Sequence, residues 1–159
     1  MPILSIKRQC GGVMIIAFFG HAAFGKSEML KGKLLCLLKE YLKAEAVELY
    51  FGGYGGFDRF AYACATSLRG ACPQTKFVFV TPYLSARVTE FYDEIVYPPL
   101  EGVPYKLAIV ARNEWIAEKA DLIIACVDHP WGGAYHACIR AQKKNKRIIN
   151  LGEVSFDRL

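Results

Sequence analysis

The chain has 159 residues, a length typical of one domain with its own buried core. Its composition, 53% hydrophobic and 22% charged, excludes a disordered chain. The net charge of +5 is compatible with an anionic ligand but too small to indicate nucleic-acid binding by itself.

Apolar runs alternate with amphipathic segments along the chain. Residues 1–12 lack periodicity and are expected to form a tail or an edge element, followed by a single domain at 13–159. The predicted order is strand 13–19, helix 26–42, strand 46–51, helix 57–68, strand 76–81, short strand 94–97, helix 106–120, strand 121–127, helix 134–144 and strand 147–151. This order predicts an α/β fold with a three-layer, doubly wound, mostly parallel, Rossmann-like sheet. The irregular segment 83–105 is expected to be functional, since long loops in compact domains usually are.

The cysteine pattern and the short apolar runs bound the cellular context. None of the six cysteines forms a C-x-x-C pair, so we expect reduced thiols and no bound metal. The run at 13–19 is too short to span a membrane and no signal peptide is evident, so a cytoplasmic protein without a membrane partner is expected. The motifs call for no cofactor.

A glycine-rich turn carries most of the functional information. Residues 49–61, Leu-Tyr-Phe-Gly-Gly-Tyr-Gly-Gly-Phe-Asp-Arg-Phe-Ala, are typical of a strand, a turn and a helix. Glycine lets backbone N–H groups approach an anion, and the helix dipole favours negative charge at the same place. The turn therefore predicts a phosphate site formed by Gly52, Gly53, Gly55 and Gly56.

A second turn of this kind, with Gly132 and Gly133, precedes the last predicted helix. Gly20 and His21 follow the first predicted strand, and Arg112 with Asn113 would supply a bidentate guanidinium and an amide near the start of a helix. Ligands of doubly wound sheets bind at the carboxyl ends of the strands, so these segments can converge there. The predicted ligand is a nucleotide or nucleoside phosphate.

A competing motif spans residues 20–27, Gly-His-Ala-Ala-Phe-Gly-Lys-Ser, which match the P-loop pattern G-x-x-x-x-G-K-[ST]. In that interpretation Lys26 would reach phosphates, Ser27 would hold Mg²⁺, and Asp128 would be the second metal-binding acid of an NTPase or kinase. The alternative is that Gly25, Lys26 and Ser27 are ordinary helix-start residues. We favour the alternative and place Lys26 in the first turn of the helix, away from phosphate.

Taken together, the motifs resemble the SLOG superfamily, which unites DNA-processing protein A (Smf) and the LONELY GUY enzymes, and look nearest to its YpsA-like bacterial branch. The resemblance rests on Phe-Phe-Gly-His at 18–21, the glycine turn at 52–58, the segment from Arg112-Asn113 onward and Trp-Gly-Gly at 131–133. It implies a Rossmann-like domain that binds a nucleoside phosphate and forms a homo-oligomer, most simply a dimer. A DNA-associated module remains an alternative, although nucleic acid is not an expected partner because acidic residues are spread among the basic ones.

The same resemblance leaves enzymatic activity open between sensing and N-glycosidic hydrolysis of the ligand. The phosphoribohydrolase members carry a catalytic Glu after their glycine motif, and this chain has Ile139 or Arg59 at the corresponding positions. Asp58 is the nearest carboxylate, either as a catalytic base or ribose ligand or as a helix-start acid. Trp131 would stack on a base or serve as packing. His129 and His136 lack a metal-ligand spacing and are expected at the surface.

Overall fold

The computed structural model describes residues 12–21, 24–25, 27–43, 46–53, 55–85 and 87–156. Residues 1–11, including Cys10, lie outside this description, as does Lys26. The strands are β1 (Met14–Gly20), β2 (Val47–Phe51), β3 (Lys76–Val80), β4 (Glu94–Val96), β5 (Leu122–Cys126) and β6 (Arg147–Asn150). The helices are α1 (Glu28–Tyr41), α2 (Gly56–Ser67), α3 (Ala108–Lys119) and α4 (Gly133–Lys143), and a 3₁₀ turn, Tyr105–Leu107, precedes α3.

The six strands form one parallel sheet in the order β4-β3-β2-β1-β5-β6. The chain builds outward from β1 to β4 and then returns to place β5 on the other side of β1, so the strand order reverses between β1 and β5. In register, Gly20 at the end of β1 lies opposite Cys126 at the end of β5. This reversal is where open α/β sheets form their ligand crevice.

Two apolar layers cover the two faces of the sheet. Helices α1 and α2 pack on one face, where Phe51, Phe57 and Phe77 are fully buried. Helices α3 and α4 pack on the other face through small side chains such as Ala117 and Cys138. Because successive strand residues point to opposite faces, a strand covered on both sides is apolar throughout, as β5 is. The predicted three-layer α/β fold is confirmed.

Local signals explain where the helices begin. Ser27 is the N-cap of α1, and its hydroxyl oxygen accepts a hydrogen bond from the Leu30 N–H at 3.1 Å. The 3₁₀ turn before α3 places Arg112 and Asn113 in the interior of that helix. The expectation that these two residues lie at a helix start is therefore wrong, and they reach the sheet edge as side chains from the side of a helix.

The described residues also bear on the expectations about cysteines, metal-binding groups and membrane-spanning helices. Cys36, Cys64, Cys72, Cys126 and Cys138 are free thiols. Within the described ranges, no three His, Cys, Asp or Glu side chains are grouped so that they could hold a metal ion. None of the helices that the structure describes is long and apolar enough to cross a membrane.

Candidate functional site

A cavity of about 370 Å³ opens at the carboxyl edge of the sheet, beside the point where the strand order reverses. Four segments that are distant in sequence contribute to its wall: the end of β1, the β2–α2 loop with the start of α2, helix α3, and the β5–α4 loop with the start of α4. Its lining residues are Phe18, Phe19, Gly20, His21, Gly52, Asp58, Ile109, Arg112, Asn113, Ile116, His129, Gly132, Gly133 and Ala134.

His21 is fixed at the end of β1 and bridges to the end of β5. Its backbone N–H donates to the Cys126 carbonyl at 3.4 Å, and its ring Nε2 accepts the Asp128 N–H at 3.1 Å. Since Nε2 accepts, the proton of the neutral ring lies on Nδ1. Burial lowers the pKa of His21, the neighbouring His129 lowers it further, and the Asp128 carboxylate acts in the opposite direction. The neutral ring is therefore the form that this site favours.

Three flat rings stack beside the cavity. The His21 and His129 ring centroids lie 3.7 Å apart with a 13° angle between the planes, and the His129 and Trp131 centroids lie 4.0 Å apart with a 22° angle. His21 is 9% exposed, whereas Trp131 is 62% exposed. The stack thus runs from the buried end of β1 to the surface, and His129, which is expected at the surface, lies half-buried between the other two rings.

The glycine turn after β2 is closed by a carboxylate of its own. The Asp58 oxygens accept the Gly52 N–H at 3.0 Å and the Gly53 N–H at 2.8 Å. Gly53 has φ of 74°, and a Cβ there would lie 2.2 Å from the Phe79 ring, so the position requires glycine. In the structure these two N–H groups donate hydrogen bonds to Asp58, whereas the sequence predicts that they face a phosphate.

Asp58 itself is buried, with 8% of its surface exposed. Burial raises the pKa of Asp58 to about 6, against the opposing effects of the two backbone hydrogen bonds and of the Arg112 guanidinium. A carboxyl group with this pKa can exchange a proton near neutral pH. Both of its oxygens already have a donor, however, and the same contacts hold the turn in shape.

Arg112 is also buried, at 4% exposure, and ties three elements together. Its Nη1 donates to the Gly52 carbonyl at 3.0 Å and to the Val80 carbonyl at 2.8 Å, and its Nε donates to Asn113 Oδ1 at 3.0 Å. The guanidinium therefore joins the ends of β2 and β3 to α3. Its positive charge also lowers the pKa of Asp58, against the larger opposite effect of burial.

Helix α4 begins at the cavity without a side-chain cap. Its N-cap residue is Gly132, with φ of 94° and ψ of 170°, a conformation open essentially only to glycine. The N-cap of α2, Gly55, has nearly the same angles, 91° and 168°, but neither Gly55 nor Gly56 lines the cavity. A Cβ added at Gly133 would meet nothing within 4 Å. The N-terminus of α4 is thus the one that opens onto the cavity.

The structure brings eight of the predicted site residues to this cavity. They are Gly20, His21, Gly52, Asp58, Arg112, Asn113, Gly132 and Gly133. Gly53, Gly55 and Gly56 do not line it. The roles predicted for all of these residues in ligand binding or catalysis stay predictions. The apolar wall of the cavity, formed by Phe18, Phe19, Ile109 and Ile116, has no signal in the sequence that separates it from ordinary core residues.

The P-loop interpretation can be compared with the structure through Ser27, since Lys26 lies outside the described residues. Ser27 is extended, with φ of −139° and ψ of 149°, and its hydroxyl oxygen caps α1. It lines a different cavity, between α1 and α2, together with Lys31 and Cys64. The interpretation of Ser27 as a helix-start residue therefore accounts for its observed contacts.

Solved structures share this fold. DNA processing protein A from Helicobacter pylori matches with a TM-score of 0.57 and 20% identity, covering 89% of this chain and 66% of that chain. A molybdenum cofactor binding protein from Rippkaea orientalis matches with a TM-score of 0.62 and 18% identity, covering 91% and 79%. The molybdenum cofactor carrier protein from Chlamydomonas reinhardtii matches with a TM-score of 0.61 and 17% identity, covering 89% and 79%.

These similarities confirm the Rossmann-like fold, and DNA processing protein A, one of the proteins that the sequence motifs resemble, is among the similar structures. The chain spans about two thirds of the length of the Helicobacter protein. No protein-family model matches the chain, and no curated protein is significantly similar to it in sequence.

Proposed function

We propose that the chain binds a nucleotide or a related nucleoside phosphate in this cavity, with the phosphate at the N-terminus of α4. The supporting observation is the uncapped start of α4 at Gly132 and Gly133, which lines the cavity where the strand order reverses. The first N–H groups of a helix lack partners within the helix, and the dipole adds positive potential there. Together they form a ready anion site.

The turn after β2 binds a different part of the ligand in this proposal. The N–H groups of Gly52 and Gly53 already donate to Asp58, and a carboxylate repels a phosphate group. Sugar hydroxyls, by contrast, can donate to carboxylate oxygens. We therefore place the ribose near Asp58 and give Arg112 the task of holding the ends of β2 and β3 in position.

The size of the cavity favours a single small ligand. Small-molecule sites typically measure about 300–1,000 Å³, and a volume of about 370 Å³ lies at the low end of that range. Proteins of this fold are named for binding single-stranded DNA and the molybdenum cofactor, so the fold alone does not select a ligand. The small volume and partly apolar lining of the cavity support one nucleotide-sized molecule rather than a strand of nucleic acid.

One buried ring nitrogen at this site, Nδ1 of His129, lacks a hydrogen-bond partner among the described residues. Buried polar atoms in folded proteins are nearly always bonded to protein, water or ligand. A hydroxyl or phosphate oxygen of a bound molecule, or a water that it holds, would satisfy this nitrogen.

Calorimetry with AMP, GMP, CMP and UMP tests the proposal. Gly133→Val should lower the affinity for whichever nucleotide binds by about ten- to a hundredfold. The valine side chain would displace the phosphate from charge-assisted hydrogen bonds worth roughly 1.5–3 kcal/mol. Gly70→Val is the matched control, since a Cβ at Gly70 also meets nothing within 4 Å and this glycine lies outside the cavity. Equal affinities for Gly133→Val and wild type, or no binding by wild type, would refute the proposal.

Hydrolysis of the ligand is tested separately from binding. Asp58 is the catalytic candidate because it lines the cavity and its pKa of about 6 suits proton transfer. The assay follows release of the free base from the nucleotide that binds. Release by wild type and its loss in Asp58→Asn would assign catalysis to this carboxyl group, and no release by wild type would assign binding alone.

The expected homodimer stays a prediction. Large apolar side chains are exposed near the β4 edge and the 3₁₀ turn, including Leu84 at 81% and Tyr105 at 75%. Exposed apolar clusters of this kind mark interaction surfaces. Light scattering coupled to size-exclusion chromatography would test it by the mass in solution, with Leu84→Glu expected to shift a dimer toward the monomer.

A further inference from the structure

The stack of three rings beside the cavity ends in an exposed indole. We propose that Trp131 is the base-binding platform of the site, on which the flat heteroaromatic ring of the ligand adds as the next ring of the stack. This inference rests on the proposed nucleotide binding and specifies how the base, rather than the phosphate, is recognised.

The indole is held in position by the rest of the stack. One face of Trp131 lies against His129, whose other neighbour in the stack is His21, and the two interplanar angles are only 13° and 22°. His21 is in turn anchored by the hydrogen bond from the Asp128 N–H. The ring orientation is therefore established by folding, which reduces the conformational entropy that binding would otherwise cost.

The outer part of the indole remains uncovered although one face is stacked. Trp131 is 62% exposed, and among the described residues His129 is its only ring partner. An exposed aromatic ring of fixed orientation offers a flat apolar surface and a π-face, which are the features that bases stack on. A tryptophan that served only in packing would have this surface covered by neighbouring side chains.

Trp131 is not itself among the residues that line the cavity, but it lies in the chain between His129 and Gly132, which do, and thus next to the proposed phosphate site. Trp131 immediately precedes Gly132, the N-cap of α4, and a Cβ at Gly132 would lie 3.9 Å from both His21 Nδ1 and His129 Cε1. The start of α4 and the stack are thus in contact. One nucleoside monophosphate, with its phosphate at the helix N-terminus, can therefore place its base over the indole.

The chemistry of the platform sets the class of ligand. Stacking depends on the π-face that every base possesses and little on its hydrogen-bonding edge. The platform therefore accepts purines more strongly than pyrimidines through their larger area, and it discriminates against ligands with a phosphate and a sugar but no base. Ribose 5-phosphate is the probe that carries only the phosphate and sugar.

Fluorescence provides a direct readout of the contact. In Trp115→Phe protein, Trp131 is the only tryptophan, and Trp115 lies on α3, where its ring stacks on Tyr50 and not on the three-ring stack. Titration with the nucleoside monophosphate that binds best should quench Trp131 emission, with a midpoint equal to the calorimetric Kd. Ribose 5-phosphate should bind without this quenching.

Substitution at position 131 provides the second measurement. Trp131→Ala should lower the affinity for the nucleoside monophosphate by roughly 5- to 150-fold, which is the range expected when the stacking of a base on an aromatic side chain is lost. Its affinity for ribose 5-phosphate should not change. Trp131→Phe keeps a ring and should recover part of the loss, and circular dichroism checks that each variant is folded.

The outcomes separate this inference from the proposed function. Two results would overturn the platform while leaving nucleotide binding in place. One is nucleotide binding without quenching of Trp131 emission, and the other is an equal loss of affinity for the nucleotide and for ribose 5-phosphate in Trp131→Ala. Wild-type protein that binds neither ribose 5-phosphate nor any of the four nucleoside monophosphates would overturn both.

Discussion

Asp58→Asn should change the pH dependence of stability in a direction that the structure specifies. The side chain is buried, and its pKa rises from 3.8 to about 6 on folding. Because the folded state holds the proton more tightly, this group stabilises the fold fully below its unfolded pKa. That contribution is lost as the pH rises through the folded value of about 6.

The magnitude follows from the shift. A change of about two pKa units corresponds to roughly 3 kcal/mol, since one unit equals about 1.36 kcal/mol. Of this, roughly 2 kcal/mol appears between about pH 7.5 and about pH 4.5. Asparagine does not titrate, so wild type should gain about 2 kcal/mol of unfolding free energy relative to Asp58→Asn across this interval.

The variant should also be less stable at neutral pH. The amide oxygen can accept one of the two N–H groups of Gly52 and Gly53, but its NH₂ faces the other donor. Losing one charge-assisted hydrogen bond costs about 1.5–3 kcal/mol, which the removal of a buried charge partly offsets. The pH-dependent difference does not depend on this constant offset.

The assay is urea unfolding of both proteins at a series of pH values. Asp93→Asn is the matched control, because the Asp93 carboxylate also accepts a backbone N–H, from Phe77 at 2.8 Å. A difference between wild type and Asp58→Asn that stays constant with pH, or that follows the Asp93→Asn trend, would refute the reasoning about Asp58.

Three further substitutions test the packing, the cap and the buried cation. Gly20→Ala places a Cβ 2.3 Å from the Phe57 ring and should destabilise the protein by about 1–3 kcal/mol in thermal and urea unfolding, whereas Gly25→Ala, with nothing within 4 Å, should not. Ser27→Ala removes the cap of α1 and should cost about 1 kcal/mol without changing nucleotide affinity in calorimetry; a loss of Mg·ATP binding instead would support the P-loop interpretation. Arg112→Lys should cost about 2–4 kcal/mol in urea unfolding, because an ammonium cannot replace the guanidinium contacts to two strand ends, and stability equal to wild type would contradict that role.

The fold was predictable because its signals are local. The continuous apolar runs of β1 and β5 are typical of strands covered on both faces, and the helical spacing of Leu34 and Leu38 indicates one buried helix face. Even the short strand β4 was expected within an otherwise irregular segment. Helix boundaries were less accurate: α1 begins at Glu28 rather than Lys26, since a helix start depends on one capping contact.

The candidate site was only partly predictable. The rule that ligands of parallel sheets bind at the carboxyl ends of the strands predicts that Gly20, Arg112 and Gly132 meet at one edge, and all three line the cavity there, while their role in binding stays a prediction. The same rule could not foresee that the Gly52 and Gly53 N–H groups donate to Asp58, which sits on the following helix. It also did not identify His129 as part of a stack with His21.

The sequence by itself therefore determined the elements, the parallel arrangement of the strands and the edge of the sheet at which the glycine turns lie. These properties depend on periodicity and on residues close together in the chain. The tertiary structure decided that the start of α4 has no side-chain cap at the cavity, and that the N–H groups of the other glycine turn donate to a carboxylate. It also decided that Arg112 holds a carbonyl 60 residues away and that His21 pairs with an N–H 107 residues away. Such contacts arise only when the folded chain brings distant polar groups together, because each buried group must find its partner wherever the fold places one.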